Sequence, residues 1–546
     1  MAHYIQNTKS TNIPKELSNR VVEEISLYHE NRYNIISSSL DKIVSTHPKF
    51  RKLLLFISML DSQNIPKELL VKYDPSVGLL LINSLQKFSL ITHNDDDSFS
   101  MHRSTHKSIK NWAKIHIHSE KNIQREIECL HSIVNKYLEK NDIIFIRKIF
   151  PHLETFLNHK NLSKKQKINL YYICGLSLFK LTKSNLAKKY FEKSAENNNV
   201  NLPDSILYLS IISRYEGKNK KALLLLEKAY KLFKQANNHE KLLELQIHKA
   251  NLYVYLNDFK FANQLFSDAC KIYLQSYPKS TKTAWALGSF GRFYRVFGLY
   301  DEGKKMLQQS YQISSDNSDD FISAWCLEEM AVIEHELGNY KKAKVLFHKS
   351  YSKYCKIYSK YHYTTLWPMS KLLELYNLTN KQKNNNRFYI FVSGHQVMKK
   401  GLGIDYSLWF YTNIGRIYKE LGQYKEAQRF LEKLIDDVKS KYGENNVFLA
   451  KIMQDLAYIY LEQHKLSNAQ DVILSSLKIL QSYNHPLQYI CFELLADLYC
   501  KKQRKADANL NFQISLKLAM QFLPEDSEHI KRIKSKISMI KEEGSD

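Results

Sequence analysis

The chain has 546 residues, with 80 Lys and Arg against 55 Asp and Glu, a net charge of +25. Its 15 Gly and 10 Pro are too few for the tight turns of an all-β sandwich or barrel and for the glycine loops of a Rossmann enzyme, and a hydrophobic fraction of 44% excludes global disorder. The basic balance suits acidic partners, yet Lys, Asn, Ile and Tyr are enriched together, as AT-rich coding would give, so the charge alone is a weak guide to mechanism. Seven Cys, odd in number, widely spread and without a CxxC pair, read as reduced thiols packed in cores, as in a cytoplasmic protein. Residues 1–16 lack an apolar run, so no signal peptide is expected. The best apolar stretch, Leu53 to Leu60, falls far short of the roughly 20 residues a membrane helix needs.

In chain order, residues 1–37 read as a short helical remnant. Residues 38–115 read as helices at Ser39–His47, Lys49–Leu60, from Pro66 onward and at Val77–Phe88, with a turn at Asp61–Pro66. Ser89–Thr92 and Ser98–Met101 then flank the polar turn Asn94-Asp95-Asp96-Asp97 and predict a hairpin. Helices followed by a two-stranded wing make a winged helix. Leu40-Asp41-Lys42-Ile43, Ile65-Pro66-Lys67-Glu68-Leu69-Leu70, Leu85-Gln86-Lys87-Phe88-Ser89-Leu90-Ile91 and Phe99-Ser100-Met101-His102-Arg103 resemble the winged-helix module of bacterial STAND NTPases of the NB-ARC type. Ile149 to Leu157, within a helical bridge at 116–166, resembles the bridge helix of that family. The resemblance implies that His102 sits where the family contacts a nucleotide phosphate. The 37 residues before the module carry no Gly and no phosphate loop, so the resemblance is to the regulatory half, without its nucleotide-binding domain, and His102 reads as structural.

From residue 167 a repeat is visible. Gly291-x-x-Tyr294-x-x-x-Gly298-x-Tyr300 matches Gly415-x-x-Tyr418-x-x-x-Gly422-x-Tyr424, and a small residue opens the following helix at 187, 222, 262, 303, 343, 427, 469 and 508. The gaps cluster near 40, and the one gap of 84 hides a degenerate copy around Tyr376 and Asn385, giving about nine helix pairs. Within a pair, Gly291, Ala331 and Gly415 face Gly303, Ala343 and Ala427 for close approach, and Phe266, Phe347 and Phe512 fill the seam. Gly298, Gly338 and Gly422 end the first helix. The frame resembles the tetratricopeptide repeat in its kinesin-light-chain-like form of about 42 residues. It implies an all-α, right-handed superhelix over 167–520 behind the winged helix, with a capping helix and tail at 521–546.

Chemical motifs are sparse. Gly298 to Lys305 approaches a phosphate loop, but Lys305 replaces the required Ser or Thr and the stretch is an inter-helix turn. His102, His106, His116 and His118 lack the Cys or carboxylates that would complete a metal site, and His335-Glu336 lacks the second His of a zinc helix. No cofactor, no metal and no enzymatic activity are expected.

Trp285, Trp325, Trp367 and Trp409 are spaced by 40, 42 and 42, each six residues before Gly291, Ala331, Leu373 or Gly415, so they share one slot near the start of the first helix. The resemblance implies that this helix lines the concave groove, where Trp anchors a peptide or packs on the next helix. Arg292, Arg295 and Arg416 lie beside the Trp and suit acidic groups, while Glu328, Glu329, Glu336 and Glu374 make the face mixed. The favoured reading is a non-enzymatic scaffold or sensor that binds a protein or peptide, including an acidic one, through these seven residues. The alternatives are a winged-helix DNA-binding regulator and the sensor half of a split STAND ATPase. Val77–Phe88 offers only Asn83, Gln86 and Lys87 as polar contacts, so nucleic-acid binding is expected to be weak and non-specific.

Overall fold

The computed structural model describes residues 33–94, 97–116, 124–139, 142–160, 162–196, 199–256, 258–358, 362–379, 415–416, 418–419 and 422–542. They form two compact units that divide between Thr182 and Lys183.

The first unit opens with α1 (33–46), α2 (Phe50–Met59), β1 (Ile65–Pro66), α3 (Lys67–Tyr73), α4 (Gly78–Lys87), β2 (Thr92–His93), β3 (Ser98–Ser100) and α5 (Arg103–His116). The strands form an antiparallel sheet in the order β1-β3-β2, with Ile65 opposite Phe99 and Thr92 opposite Ser100. The hairpin at the Asn/Asp turn is present, but shorter than its sequence pattern suggested. Ser89 adopts a φ of 56°, which turns the chain before the strand begins at Thr92. Ile65–Pro66, read from sequence as part of a turn, is a third strand. Pro66 fits there because β1 is an edge and needs no second donor row. Leu53, Leu54, Phe56, Ile57, Leu69, Leu81, Leu85 and Phe99 fill the core.

α6 (Gln124–Glu139), α7 (Ile143–Leu157) and α8 (Lys164–Lys180) complete this unit. His152 of α7, fully buried, ties the β1 loop to the helix. Its Nδ1 accepts from the Asp61 amide at 3.1 Å, so Nε2 carries the hydrogen and donates to the Asn64 carbonyl at 3.2 Å. α8 begins with a capping box between Ser163 and Gln166.

The second unit alternates two kinds of helix. α9 (Ser184–Ser194) leads to α10 (Leu202–Tyr215), α11 (Asn219–Gln235), α12 (His239–Tyr255), α13 (Phe259–Ser276), α14 (Thr281–Val296), α15 (Tyr300–Asp316), α16 (Asp320–Glu336), α17 (Tyr340–Ile357) and α18 (Tyr363–Thr379). Residues 415–416 and 418–419 are helical, followed by α19 (Tyr424–Tyr442), α20 (Val447–Glu462), α21 (Leu466–Ser482), α22 (Gln488–Lys501), α23 (Lys505–Phe522) and α24 (Glu528–Glu542). Tyr376 lies in α18, whereas Asn385, the other marker of the degenerate copy, is outside the described residues.

The helix pairs pack as their small residues dictate. A Cβ built on Gly291 would stand 2.7 Å from Leu307 and 3.0 Å from the Gly303 carbonyl, so the α14–α15 contact leaves no room for a side chain. Phe266, Phe347 and Phe512 are buried in the seams. Gly298 ends its helix at a φ of 80°, and His464 and Gln503 adopt the same left-handed turn without being glycine. A serine on the second helix binds the first: Ser310 donates to the Ala284 carbonyl at 2.6 Å, Ser476 to Ala450 at 2.9 Å and Ser515 to Tyr489 at 2.8 Å.

A second set of contacts joins distant repeats. The carbonyls that close α12, α14 and α16 are met by residues that open much later first helices. Asn446 donates to the Tyr255 carbonyl at 3.1 Å, His485 Nε2 to Val296 at 3.1 Å and Ser527 Oγ to Leu337 at 2.7 Å. The sequence separations are 191, 189 and 190 residues, so the array returns to itself at a fixed interval. Last-turn carbonyls without intrahelical partners thereby gain donors.

Candidate functional site: the first-helix face

Trp285 and Trp325 are half-buried, Trp367 is buried, and Trp409 lies outside the described residues. The spacing of the tryptophans suggests the second position of each first helix, and the described ones stand deeper. Trp285 and Trp367 are the fifth residues of α14 and α18, and Trp325 is the sixth of α16, because each helix starts earlier than its apolar pattern. The Trp285 ring tilts against His248 at 4.9 Å. Trp325 lies over Gly288, where an added Cβ would come within 2.7 Å of the indole, and its Nε1 donates to Glu329 at 3.2 Å. Trp367 packs on Phe347 at 5.8 Å. The three described rings therefore share a slot and differ in what they leave accessible.

Each of the three arginines meets an acid of this chain. Arg295 Nε donates to Glu329 at 2.5 Å and its guanidinium lies 3.9 Å from Glu336, while Arg292 lies 3.6 Å from Glu329 and donates to the Tyr255 hydroxyl at 3.1 Å. Arg416 binds Asp455 at 2.6 Å, and Lys419 binds the other oxygen of that carboxylate at 2.9 Å. Lys451 reaches Glu336 at 2.9 Å, and Lys371 reaches Glu374 at 2.6 Å. Burial raises the carboxyl of Glu336, but Lys451 and Arg295 outweigh it and bring it down to about 2. Burial likewise raises Glu328, its neighbour Glu329 adds to the rise, and it is held well above the usual carboxylate range. The arginines were legible from sequence; Asp455, the acid that Arg416 meets, and the lysines Lys419 and Lys451 that share the arginines' carboxylates were not. The signal was there: a cation on one first helix and an acid 34 to 36 residues later, as in Arg295–Glu329 and Lys419–Asp455.

Other sequence markers have structural roles. His102 Nδ1 accepts from the Ser104 amide at 3.2 Å at the start of α5, and buried His106 bonds the Ile57 carbonyl at 3.2 Å. Lys304 of the near phosphate loop pairs with Glu334 at 2.7 Å from within α15. Among the described residues no group of three or more His, Cys, Asp or Glu is placed to hold a metal, and no helix is long and apolar enough to cross a membrane.

A family model described as tetratricopeptide repeat matches residues 406–482. Among solved structures, the chain is similar to one from the APC/C hetero-tetramer Cut9–Hcn1, with a TM-score of 0.50, 12% identity, and coverage of 85% of this chain and 83% of that one. A STAND protein with a tetratricopeptide repeat sensor from Pyrococcus horikoshii gives a TM-score of 0.40 at 15% identity, covering 98% of this chain and 73% of that one. The quorum sensor NprR in complex with its cognate peptide NprX gives 0.45 at 16%, covering 60% and 92%. No curated protein matches. With the helix pairs, the family match and the fold similarity to the Cut9–Hcn1 structure show an all-α helical repeat that resembles tetratricopeptide solenoids.

Proposed function

We propose that the chain is a non-enzymatic scaffold or sensor that binds a protein or peptide, acidic in part, on the face formed by its first helices. The observation that carries this reading is the pair of half-buried rings at Trp285 and Trp325 beside Arg292 and Arg295 on adjoining helices. Aromatic and guanidinium groups that keep some exposure at fixed spacing are the usual anchors of a peptide surface. Trp367 and Arg416 belong to the same column in later repeats, and Trp409 is assigned to it by spacing. No cofactor is required.

The division into a remnant at 1–37, a winged helix at 38–115, a bridge at 116–166, a solenoid at 167–520 and a cap at 521–546 belongs to the same proposal. So does the likeness of the first part to the regulatory half of a cytoplasmic, bacterial STAND protein. The antiparallel sheet behind three helices supports the winged-helix reading. Sequence-specific DNA recognition is not favoured. α4 exposes Leu79, Leu80, Asn83, Gln86 and Lys87, which offer no arginine to a base edge.

The test is retention of random dodecapeptides on the immobilised full chain, with thermal melting of the same samples. Trp325→Ala should keep its melting temperature within a few degrees and lower retention by about 2 kcal/mol, the scale of a hot spot. A collapse of the fold with the mutation would place the ring in the core instead.

A further inference from the structure

Two rungs of ion pairs on the first-helix face share one pattern, and a third keeps only its cation. In α14 and α16, Arg295 stands between two acids of the next first helix, Glu329 at 2.5 Å and Glu336 at 3.9 Å. Those three residues, 295, 329 and 336, have equivalents at 419, 455 and 462 further along, which are Lys, Asp and Glu, and Lys419 binds Asp455 at 2.9 Å. The equivalents nearer the start of the array are 214, 248 and 255, each 81 residues earlier. The cation is kept, as Arg214. Both acids are gone, replaced by His248 and Tyr255.

The consequence is a little-exposed cation without an ion pair among the described residues. Arg214 is 8% exposed. Its guanidinium lies over the rings of Tyr215 at 5.0 Å and Tyr255 at 5.5 Å, and no carboxylate reaches it among the described residues. His248 does not replace the missing anion, and its Nδ1 is buried with no hydrogen-bond partner. Burial presses its imidazole down to about 3, so it stands neutral. The nearest acid on that helix, Glu244, is already taken by Lys241 at 3.0 Å. Across Tyr255, Arg292 shares Glu329 with Arg295, two cations to one acid. Burial raises the Tyr255 phenol, yet Arg292 and Arg214 together outweigh it and lower it, which registers the positive field at this spot. The surroundings are aromatic and half-buried: Trp285 against His248, and Tyr442 and Phe448 stacked on Tyr255 at 5.4 and 5.8 Å. A guanidinium this little exposed and without an anion is costly, and a carboxylate is a group that pairs with it.

We propose that the Arg214–His248–Tyr255 rung binds a carboxylate supplied in trans, the side chain of an Asp or Glu in a peptide segment lying on the first-helix face. The incoming carboxylate takes the place that Glu329 and Asp455 hold in the complete rungs, and Arg292 and the rings of Trp285 and Tyr442 receive the flanking residues. Aromatic walls favour an organic anion over free phosphate. The inference rests on the reading of this face as a peptide surface and names its charged anchor.

The experiment restores the missing acid from within. Full-length wild type, His248→Glu and Arg214→Gln are immobilised and challenged with a random dodecapeptide mixture containing Asp and Glu, and with the same mixture carrying Asn and Gln instead. Wild type should retain the acidic mixture roughly tenfold or more over the amide mixture, the scale of one charge-assisted contact, and Arg214→Gln should lose that preference. His248→Glu should lose that preference while melting no lower than wild type, because Arg214 then has its own anion. That variant keeps the test meaningful if Arg214→Gln folds poorly. Equal retention of both mixtures, or a preference that survives His248→Glu, overturns the anchor and leaves the peptide surface standing. Retention of neither mixture by wild type overturns both. Inorganic phosphate displacing the acidic mixture more effectively than glutamate at equal ionic strength overturns the carboxylate assignment.

Discussion

The seam between paired helices and the face formed by the first helices are built from opposite materials. The seam is small residue against small residue with a buried Phe, as at Gly291, Gly303 and Phe266. It repeats with little variation, because any copy that fits one pair fits the next. The face is charge against charge, and there the copies differ: complete at Arg295, complete at Lys419, missing both acids at Arg214. Burial of apolar area is non-directional and tolerates repetition, whereas an ion pair out of water is exacting about its partner. A repeat protein can therefore hold its architecture in one set of positions and vary its recognition in the other.

The largest expected effect tests the seam. Phe347 is fully buried against Ala331, Ala343 and Trp367. Phe347→Ala should cost about 3–5 kcal/mol, read from urea unfolding, with no dependence on salt. A loss under about 1 kcal/mol would show that the seam is not where stability resides.

Next comes the complete rung. Glu329 is 5% exposed and serves Arg292, Arg295 and the Trp325 indole. Glu329→Gln should cost about 3 kcal/mol, since two guanidinium groups lose their shared anion. It should also create a second unfilled rung and raise retention of acidic peptides. Unchanged stability would mean that these pairs contribute no more than surface ones.

Much of this contrast can be read in the amino-acid order. The recurrence of Gly291, Ala331 and Gly415, with Gly298, Gly338 and Gly422 seven residues on, fixes the helix pairs, because small residues and left-handed caps are local demands. The arginines beside the tryptophans were also visible. Three things were not. The strand Ile65–Pro66 is two residues long and carries no alternation to detect. Glu329 and Glu336 were visible as acids of the same face, but which cation each one meets, and Asp455 altogether, emerge only when copies are aligned position by position. The contacts at separations near 190 depend on a small rotation between neighbouring repeats, summed over several of them, and no local pattern encodes that sum.

Those distant contacts have their own pH signature. His485 Nδ1 accepts from the Leu487 amide at 3.1 Å and Nε2 donates to Val296, so the ring must be neutral, and burial presses it down to about 3. A group whose folded value lies below its unfolded value near 6.5 contributes stability that is present above 6.5 and lost as pH falls towards 3. At pH 5.5 the loss from this one group should be about 1.4 kcal/mol relative to pH 7.5. His485→Gln, which can still donate to Val296, should flatten urea midpoints over that range by this amount. Glu336, held at about 2, contributes to acid loss only below about 4.5, which leaves the window between to the histidines. Identical pH dependence in variant and wild type would remove His485 as the cause.

The smallest effect supplies the contrast within the charged set. Arg504 and Asp507 form an ion pair at 2.7 Å, as short as those on the first-helix face, but their side chains are 57% and 38% exposed. Asp507→Asn should therefore cost less than about 1 kcal/mol and should vanish into the baseline at high salt, because solvent already stabilises both ions when apart. In both changes a carboxylate bonded to an arginine at short range becomes an amide; the Glu329 site differs in its burial and in serving a second arginine and an indole. Equal losses at the two sites would show that distance alone sets the strength of these pairs. The unfilled Arg214 rung would then carry no more drive to recruit a carboxylate than any surface arginine.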